Sequence, residues 1–296
     1  MRHTWRQASA GPLRKWEAAM RVQGERYCHA VLNYTLDAVG AEGTAPVEVS
    51  IHDARGCDLP FEDCGFRLLD RALPAVTAMD GNEIAASHGA AVQALARELS
   101  GCDRTLFYPP IVRSPKMAAK VADYAPITFV HSDFTDDYRY MVEDPARPYA
   151  AYIQPLLAAA GLTQADVVLA ERVLMLQFWR NLGAPRPDYP LAICDARSVP
   201  RADLLPFVVP EYGGLHLEFE TFGVRAPQQP GDHHWYTYPG MGQDELLVFR
   251  TYDSSCVEAD RPFWTPHSAF RDPHAGVNAP QRESLEMRVL CLFNSG

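Results

Sequence analysis

The chain has 296 residues, of which 47% are hydrophobic and 22% charged, a composition typical of a globular protein with a large core. Its formal net charge of -10 at pH 7 repels phosphate backbones, so nucleic acid is excluded as an expected partner. No run approaches the roughly 18 apolar residues of a membrane span, and no apolar stretch follows the charged start, so neither membrane association nor a signal peptide is expected.

The cysteines indicate a reducing compartment. There are seven, scattered from Cys28 to Cys291, and no two are spaced as C-x-x-C. An odd number of isolated cysteines is typical of free thiols in an intracellular enzyme rather than of a disulfide framework or a zinc knuckle. We therefore expect a cytoplasmic protein.

Helices are predicted mainly in the first part of the chain. One covers 11–23, and a longer one covers 82–99, with Asn82 as its N-cap and Gly101 just past its end. A third covers 150–160, where Pro155 marks a kink or the true start. Thr163 is the predicted cap of a short fourth helix that runs to Ala170.

Strands are predicted between these helices and then dominate the rest of the chain. Alternating or continuous apolar runs predict them at 31–36, 47–52, 105–108, 128–135, 173–180, 191–194, 215–220, 234–238, 245–250 and 284–293. This order predicts a mainly β fold with flanking helices: a double-stranded β-helix (jelly-roll) core with an N-terminal helical layer. We expect one domain over 1–296, with 1–45 as an extension and 46–296 as the core with helical insertions.

The segment Val130-His131-Ser132-Asp133 carries the first chemical signal. On a strand, His131 and Asp133 point to the same face. They would supply two ligands of the 2-His-1-carboxylate triad that holds non-haem Fe(II) with open positions. The alternative is a core histidine beside a turn aspartate, because this spacing is common by chance.

The third ligand should come from a late strand, since a double-sheet barrel brings early and late strands together. The candidates are His216, His233 or His234, His267 and His274. His267 is favoured because Arg282-x-Ser284 follows it at the start of the last strand. A guanidinium and a hydroxyl on one strand face can together hold the distal carboxylate of 2-oxoglutarate.

The last strand also has an ordinary interpretation. Arg282, Ser284, Glu286 and Arg288 alternate with apolar residues, as in a half-exposed antiparallel strand. The same alternation fits a strand whose polar face lines the interior of a barrel. Periodicity alone leaves both open.

Several motifs occur together in one order: H-S-D-F-T at 131–135, F-W-R-N-L at 178–182, P-L-A-I-C-D-A-R-S-V at 190–199, H-W-Y-T-Y-P-G-M-x-x-D-E-L-L-V-F at 234–249, H-S-A-F-R-D-P at 267–273 and P-x-R-E-S-L-E-M-R at 280–288. The set resembles the Fe(II)/2-oxoglutarate-dependent oxygenases that include cephem hydroxylase-like, gibberellin desaturase-like and fungal meroterpenoid endoperoxide-forming enzymes. The second motif departs from the family pattern N-x-W-R-P at Gln177 and Asn181.

The resemblance implies His131, Asp133 and His267 as the catalytic iron ligands. It implies Arg282 and Ser284 as the 2-oxoglutarate anchor, with Arg288 and Arg180 as further candidates. Side chains that could reach the substrate are Trp179, Trp235, Tyr236 and Thr135.

The expected activity is a dioxygenase that uses Fe(II), 2-oxoglutarate and O2 to oxidise an unactivated C–H bond of a secondary metabolite. The outcome would be hydroxylation, desaturation, rearrangement or endoperoxidation, most readily of a bulky terpenoid or polyketide, or alternatively of an amino-acid or β-lactam substrate. A homodimer is expected as a possible assembly. Two other classes stay open: a zinc-dependent hydrolase or isomerase using the same three side chains, and a non-catalytic β-sandwich binding module.

Overall fold

The computed structural model describes residues 22–36, 43–76 and 80–294. The helix predicted over 11–23 lies almost entirely outside these residues. Within them, no helix is both long and apolar enough to cross a membrane.

Two sheets form the centre of the molecule. The strands of the described ranges are β1 (Arg26–Thr35), β2 (Thr44–Asp53), β3 (Phe66–Asp70), β4 (Arg104–Phe107), β5 (Ile111–Arg113), β6 (His131–Ser132), β7 (Arg172–Asn181), β8 (Leu191–Cys194), β9 (Leu204–Tyr212), β10 (Leu215–Val224), β11 (Trp235–Thr237), β12 (Glu245–Asp253), β13 (His267–Ala269) and β14 (Ser284–Phe293). The larger sheet has the order β1-β2-β11-β8-β13-β6-β10-β9, and the smaller one β3-β12-β7-β14-β4, with β5 also on β14. The predicted jelly-roll fold class is confirmed.

Helices flank the sheets. They are α1 (Phe61–Cys64), α2 (Gly81–Ser100), α3 (Pro115–Ala118), α4 (Tyr138–Glu143), α5 (Pro148–Ala159), α6 (Gln164–Val168) and α7 (Ser254–Glu258). Helix α2 covers the outer face of the smaller sheet, where Ile84 and Val92 pack against Phe178 of β7 and Met287 of β14. This burial explains why both faces of β7 and β14 are apolar or enclosed.

The alternation of the last strand fits either a polar face exposed to solvent or one that lines the interior, and the structure distinguishes the two. Ser284, Glu286 and the preceding Arg282 are buried, and Arg288 lines the same cavity as His131 of the opposite sheet. The polar face of β14 therefore lines the interior between the two sheets rather than facing solvent.

Some local predictions were wrong. The strand predicted over 128–135 is only two residues long, because β6 pairs briefly between β13 and β10. The cap of α2 is Asp80, whose carboxylate accepts the backbone N–H groups of Asn82 and Glu83. Helix α5 begins at Pro148 and continues through Pro155. Proline is tolerated in the first turn because a backbone N–H there would have no partner within the helix.

The division into an extension over 1–45 and a core over 46–296 stays a prediction. Strand β1 pairs with β2 along its length, from Arg26 opposite His52 to Thr35 opposite Thr44. The seven cysteines are all free thiols.

Candidate metal centre and cavity

Three side chains from two adjacent short strands converge at one point. His267 of β13 stands directly opposite His131 of β6, which brings their ring centroids to 4.3 Å. Asp133 follows β6 on the same face, and its Oδ1 lies 3.8 Å from the Nε2 of each histidine. One ligand atom from each of the three residues lies within 4.8 Å of the others.

Backbone contacts fix the orientation of both imidazoles. The Nδ1 of His131 is 3.0 Å from the carbonyl oxygen of Phe129, and the Nδ1 of His267 is 3.0 Å from that of Thr265. An Nδ1–H that donates to a carbonyl leaves the Nε2 lone pair free for a metal. Burial, followed by the neighbouring His267, lowers the pKa of His131 to about 3, so its ring is neutral at pH 7.

Asp133 is ionised despite its burial. Burial by itself would raise its pKa, but Arg288 and then the two histidines outweigh that effect and lower the pKa to about 2. Two imidazoles and one carboxylate are the donor set that Fe(II) takes in facial-triad sites. These three residues therefore fit such an ion, and all three line the cavity.

Arg282 is a buried cation in the same cavity. Its Nε donates to the Ser284 hydroxyl at 3.2 Å, and its guanidinium lies over the Trp179 ring at 5.6 Å. Among the described residues no carboxylate pairs with its guanidinium. Burial, and then the charge of Arg113, lower its pKa to about 10. An enclosed guanidinium without an anionic partner is suited to binding an anionic ligand.

Arg288 and Arg180, the other two predicted anchors, have different positions. The Nε and Nη2 atoms of Arg288 both donate to Oδ2 of Asp133. Arg180 lies on the opposite face of β7, where it donates to the carbonyl oxygens of Leu73, Pro74 and Gln243. Arg180 is therefore wrong as a co-substrate anchor, because strand alternation places it against the α2 side of the sheet.

The structure adds a buried ion pair that the sequence did not reveal. All five N–H groups of Arg113 are used, on both Glu286 oxygens, on the carbonyl oxygens of Asp123 and Ala125, and on the Tyr212 hydroxyl. The one available signal was Glu286 on the polar face of the last strand. Arg113 thus ties β5, β14 and the β9–β10 hairpin together around the cavity.

The cavity beside the triad has a volume of about 530 Å³, within the range that holds drug-sized ligands. Its walls are mostly apolar and aromatic, with contributions from the β9–β10 hairpin, α5 and residues 122–129. The charged groups at its floor are Arg113, Asp133, Arg282, Glu286 and Arg288.

None of the four predicted substrate residues lines this cavity, so that prediction was wrong. Trp235 donates from its indole to Tyr34 in the core, and Tyr236 accepts the backbone N–H of Gln23. Thr135 donates to Glu220. Trp179 lies behind Arg282. Trp179 shares the inner face of the smaller sheet with Glu286, its partner across the strand pair, but packs with Tyr236 and Leu247 rather than lining the cavity.

The other four candidate histidines, all within the described ranges, do not join the site. His216 is exposed beside Glu218, and His274 is exposed next to Tyr27. His233 is buried between Asp203 and Tyr34. The preference for His267 over these alternatives agrees with the geometry.

The comparisons with known proteins agree on one family. The family model described as "Oxidoreductase/YMDC permease-like domain" matches residues 25–292. A curated relative, the "Fe(II)/2-oxoglutarate-dependent dioxygenase nvfI" of Aspergillus novofumigatus, is 27% identical over 83% of this chain and 83% of its own length. The "Hydroxylase/desaturase efuI" of Hormonema carpetanum is 35% identical over 40% of each chain.

A solved structure shows the same fold. It is titled "iron and alpha-ketoglutarate-dependent endoperoxidase NvfI with different conformation" and superimposes with a TM-score of 0.72 and 22% identity, over 93% of this chain and 100% of its own. The homologues are therefore Fe(II)/2-oxoglutarate-dependent dioxygenases of fungal secondary metabolism, and the resemblance seen in the motifs is confirmed.

Proposed function

The chain belongs to this oxidoreductase family, and we propose that it is an Fe(II)/2-oxoglutarate-dependent dioxygenase that oxidises an unactivated C–H bond of a secondary metabolite. One observation carries the proposal. A triad of two imidazoles and a carboxylate opens into the same cavity as the guanidinium of Arg282, which is buried and has no carboxylate paired with it among the described residues.

The three predicted ligands have distinct tasks in this proposal. His131, Asp133 and His267 would hold Fe(II), which together with 2-oxoglutarate and O2 supplies the oxidising chemistry. The carbonyl oxygens of Phe129 and Thr265 hold the imidazoles in the tautomer that presents Nε2. All three ligand side chains are buried, which limits access of water to the centre.

Arg282 and Ser284 would bind the distal carboxylate of 2-oxoglutarate. The Ser284 hydroxyl already accepts the Nε–H of Arg282, and Nη1 donates to the carbonyl oxygen of Tyr189 at 3.4 Å, which leaves Nη2 and the second N–H of Nη1 for the ligand. Arg113 and Glu286 neutralise each other, so Glu286 is not available as a general base. This ion pair weighs against a zinc hydrolase, which would need a free general base beside the metal.

The finer parts of the proposal follow from the family and the cavity. The substrate is a bulky natural product such as a terpenoid or polyketide, which an apolar cavity of about 530 Å³ would accommodate. In this proposal the protein works in the cytoplasm as a single domain, and two copies of the chain form a homodimer.

An anaerobic titration tests the proposal. Fe(II) and 2-oxoglutarate added together should produce a visible charge-transfer band, and air should then release succinate. His131→Ala should abolish both the band and the release of succinate. Arg71→Ala, which removes an exposed arginine paired with Glu98, is the matched control and should change neither.

Two outcomes would overturn the proposal. One is a wild-type protein that gives no band and no succinate with Fe(II). The other is hydrolysis supported by Zn(II) with no dependence on 2-oxoglutarate, which would assign the triad to the hydrolase class.

A further inference from the structure

The cavity contains a feature that the proposed co-substrate chemistry does not use. Six aromatic rings line it in an unbroken series, which we call the aromatic belt: Tyr124, Tyr212, Phe219, Phe134, Tyr149 and Tyr152. In that order, successive ring centroids lie 6.5, 6.1, 6.4, 6.3 and 5.9 Å apart.

Separate parts of the chain build the aromatic belt. Tyr149 and Tyr152 lie three residues apart on one face of α5. Tyr212 ends β9 and Phe219 lies on β10, which pairs with it. Four of the five ring pairs meet edge to face, at interplanar angles of 61° to 87°. Such an arrangement presents both ring faces and ring edges, the two geometries in which a further aromatic ring packs best.

Two hydroxyl groups of the belt are available to a ligand. Tyr212 accepts a hydrogen bond from Arg113 at 2.7 Å, so its own proton remains free to donate. In the described ranges, the hydroxyl of Tyr152 has no hydrogen-bond partner. Both side chains line the cavity. Each can therefore donate to an oxygen atom carried by a bound ring system.

The charge at the cavity floor selects against a cationic ligand. Three guanidinium groups, those of Arg113, Arg282 and Arg288, face the two carboxylates of Asp133 and Glu286, so one positive charge is in excess. Fe(II) and the dianion 2-oxoglutarate would cancel each other and leave this excess unchanged.

The two acidic residues near the rim do not reverse this preference. Asp123 and Glu211 line the cavity but are exposed, so water and salt screen them. Arg288 by contrast lies close enough to the hydroxyls of Tyr149 and Tyr152 to affect both electrostatically. Electron-rich rings with oxygen substituents suit that end of the belt.

We propose that the substrate of this site is a planar aromatic ring system bearing oxygen substituents, held with its rings against the aromatic belt. The inference depends on the proposed function, since it names the substrate class of the same cavity. It narrows the range of natural products from saturated terpenoid skeletons toward aromatic polyketide-like ones.

Three probes of comparable size test the proposal by calorimetry on the protein loaded anaerobically with Fe(II) and 2-oxoglutarate. Anthraflavic acid is a planar diphenol, androstanediol a saturated tetracycle, and proflavine a planar cation. We expect anthraflavic acid to bind about ten-fold more tightly than the other two. Equal or tighter binding of androstanediol would overturn the planar class, and tighter binding of proflavine would reverse the charge preference.

Variants locate the binding on the belt. Tyr152→Leu removes a ring and should weaken binding of anthraflavic acid about five- to ten-fold, whereas Tyr152→Phe keeps the ring and should cost about three-fold or less. Phe219→Leu is a second ring deletion, in case the first variant folds poorly. Tyr140→Leu, an exposed tyrosine of α4, is the control. Unchanged affinity in both folded ring deletions would overturn the proposal.

The two proposals fail separately. If succinate is released from 2-oxoglutarate but anthraflavic acid shows no preference, only the belt assignment is lost. If no band and no succinate form while anthraflavic acid still binds the metal-free chain and loses affinity in Tyr152→Leu, the belt assignment stands without the dioxygenase chemistry.

Discussion

Arg288 donates both its Nε and its Nη2 to a single oxygen, Oδ2 of Asp133, at 3.2 and 3.0 Å. The other oxygen, Oδ1, is left 3.8 Å from each of the two histidine Nε2 atoms. The guanidinium therefore sets which oxygen of the carboxylate faces the triad. The family resemblance predicts Arg288 as a further 2-oxoglutarate anchor, whereas in the structure its guanidinium is engaged with a predicted iron ligand.

This pair should show strong energetic coupling. In a double-mutant cycle of Arg288→Met and Asp133→Asn, we expect a coupling of about 2–3 kcal/mol in the free energy of unfolding of the metal-free protein at pH 7. Arg288→Met leaves the buried Asp133 carboxylate without its guanidinium, and Asp133→Asn leaves Arg288 with only the more distant Glu286, at 3.8 Å. Denaturant titration of the four proteins measures the coupling.

The exposed pair Arg71 and Glu98, at 2.9 Å, is the control and should couple by less than about 0.5 kcal/mol. Equal coupling in the two pairs would mean that solvent screens the Arg288–Asp133 contact.

Arg282→Gln should separate binding from stability. Losing two charge-assisted hydrogen bonds should weaken 2-oxoglutarate binding about 100-fold, as measured by anaerobic calorimetry. The metal-free protein should be as stable as the wild type or more so, because its enclosed guanidinium has no carboxylate partner in the described residues. A large loss of stability would show that the packing of Arg282 on Trp179 outweighs the cost of burying the charge.

Asp253 should make stability depend on pH. Burial disfavours its ionisation, but the Arg172 guanidinium, at 2.6 Å, outweighs burial and lowers its pKa below the ordinary value. A depressed carboxyl pKa stabilises the fold above the unfolded value of about 4, and the stabilisation is lost as the pH falls through the folded value.

We therefore expect Asp253→Asn to cost about 2–3 kcal/mol at pH 7 and less at pH 3, since the stabilisation declines as the pH falls below the unfolded pKa. Urea unfolding at the two pH values measures the difference. A cost that stays the same at both would assign the effect to the capping of α7 by Asp253 rather than to its charge.

The start of α2 offers a matched pair of substitutions. Asp80 accepts the backbone N–H groups of Asn82 and Glu83 at 2.9 and 3.1 Å, so Asp80→Ala should destabilise the protein by about 1 kcal/mol. Asn82→Ala should change stability by less than about 0.5 kcal/mol, since Asn82 is already inside the helix. Thermal unfolding of both variants tests this, and the reverse ranking would restore Asn82 as the cap.

The sequence by itself determined the local parts of this protein. Strand alternation predicted that His131 lies with Asp133 and Arg282 with Ser284, because residues two apart in extended chain share a face, and this holds although Asp133 follows β6 and Arg282 precedes β14. Strong apolar runs likewise predicted β7 and β14 with their bounds nearly correct.

Only the tertiary structure decided which faces meet. It turned the polar face of β14 inward, excluded Arg180, engaged Arg288 with Asp133, and joined Arg113 to Glu286. It also assembled the aromatic belt from four separate segments of chain. The physical reason is that periodicity fixes the direction of a side chain within its own strand, whereas its partners come from strand pairing and sheet packing over more than one hundred residues of intervening chain, which leave no local pattern.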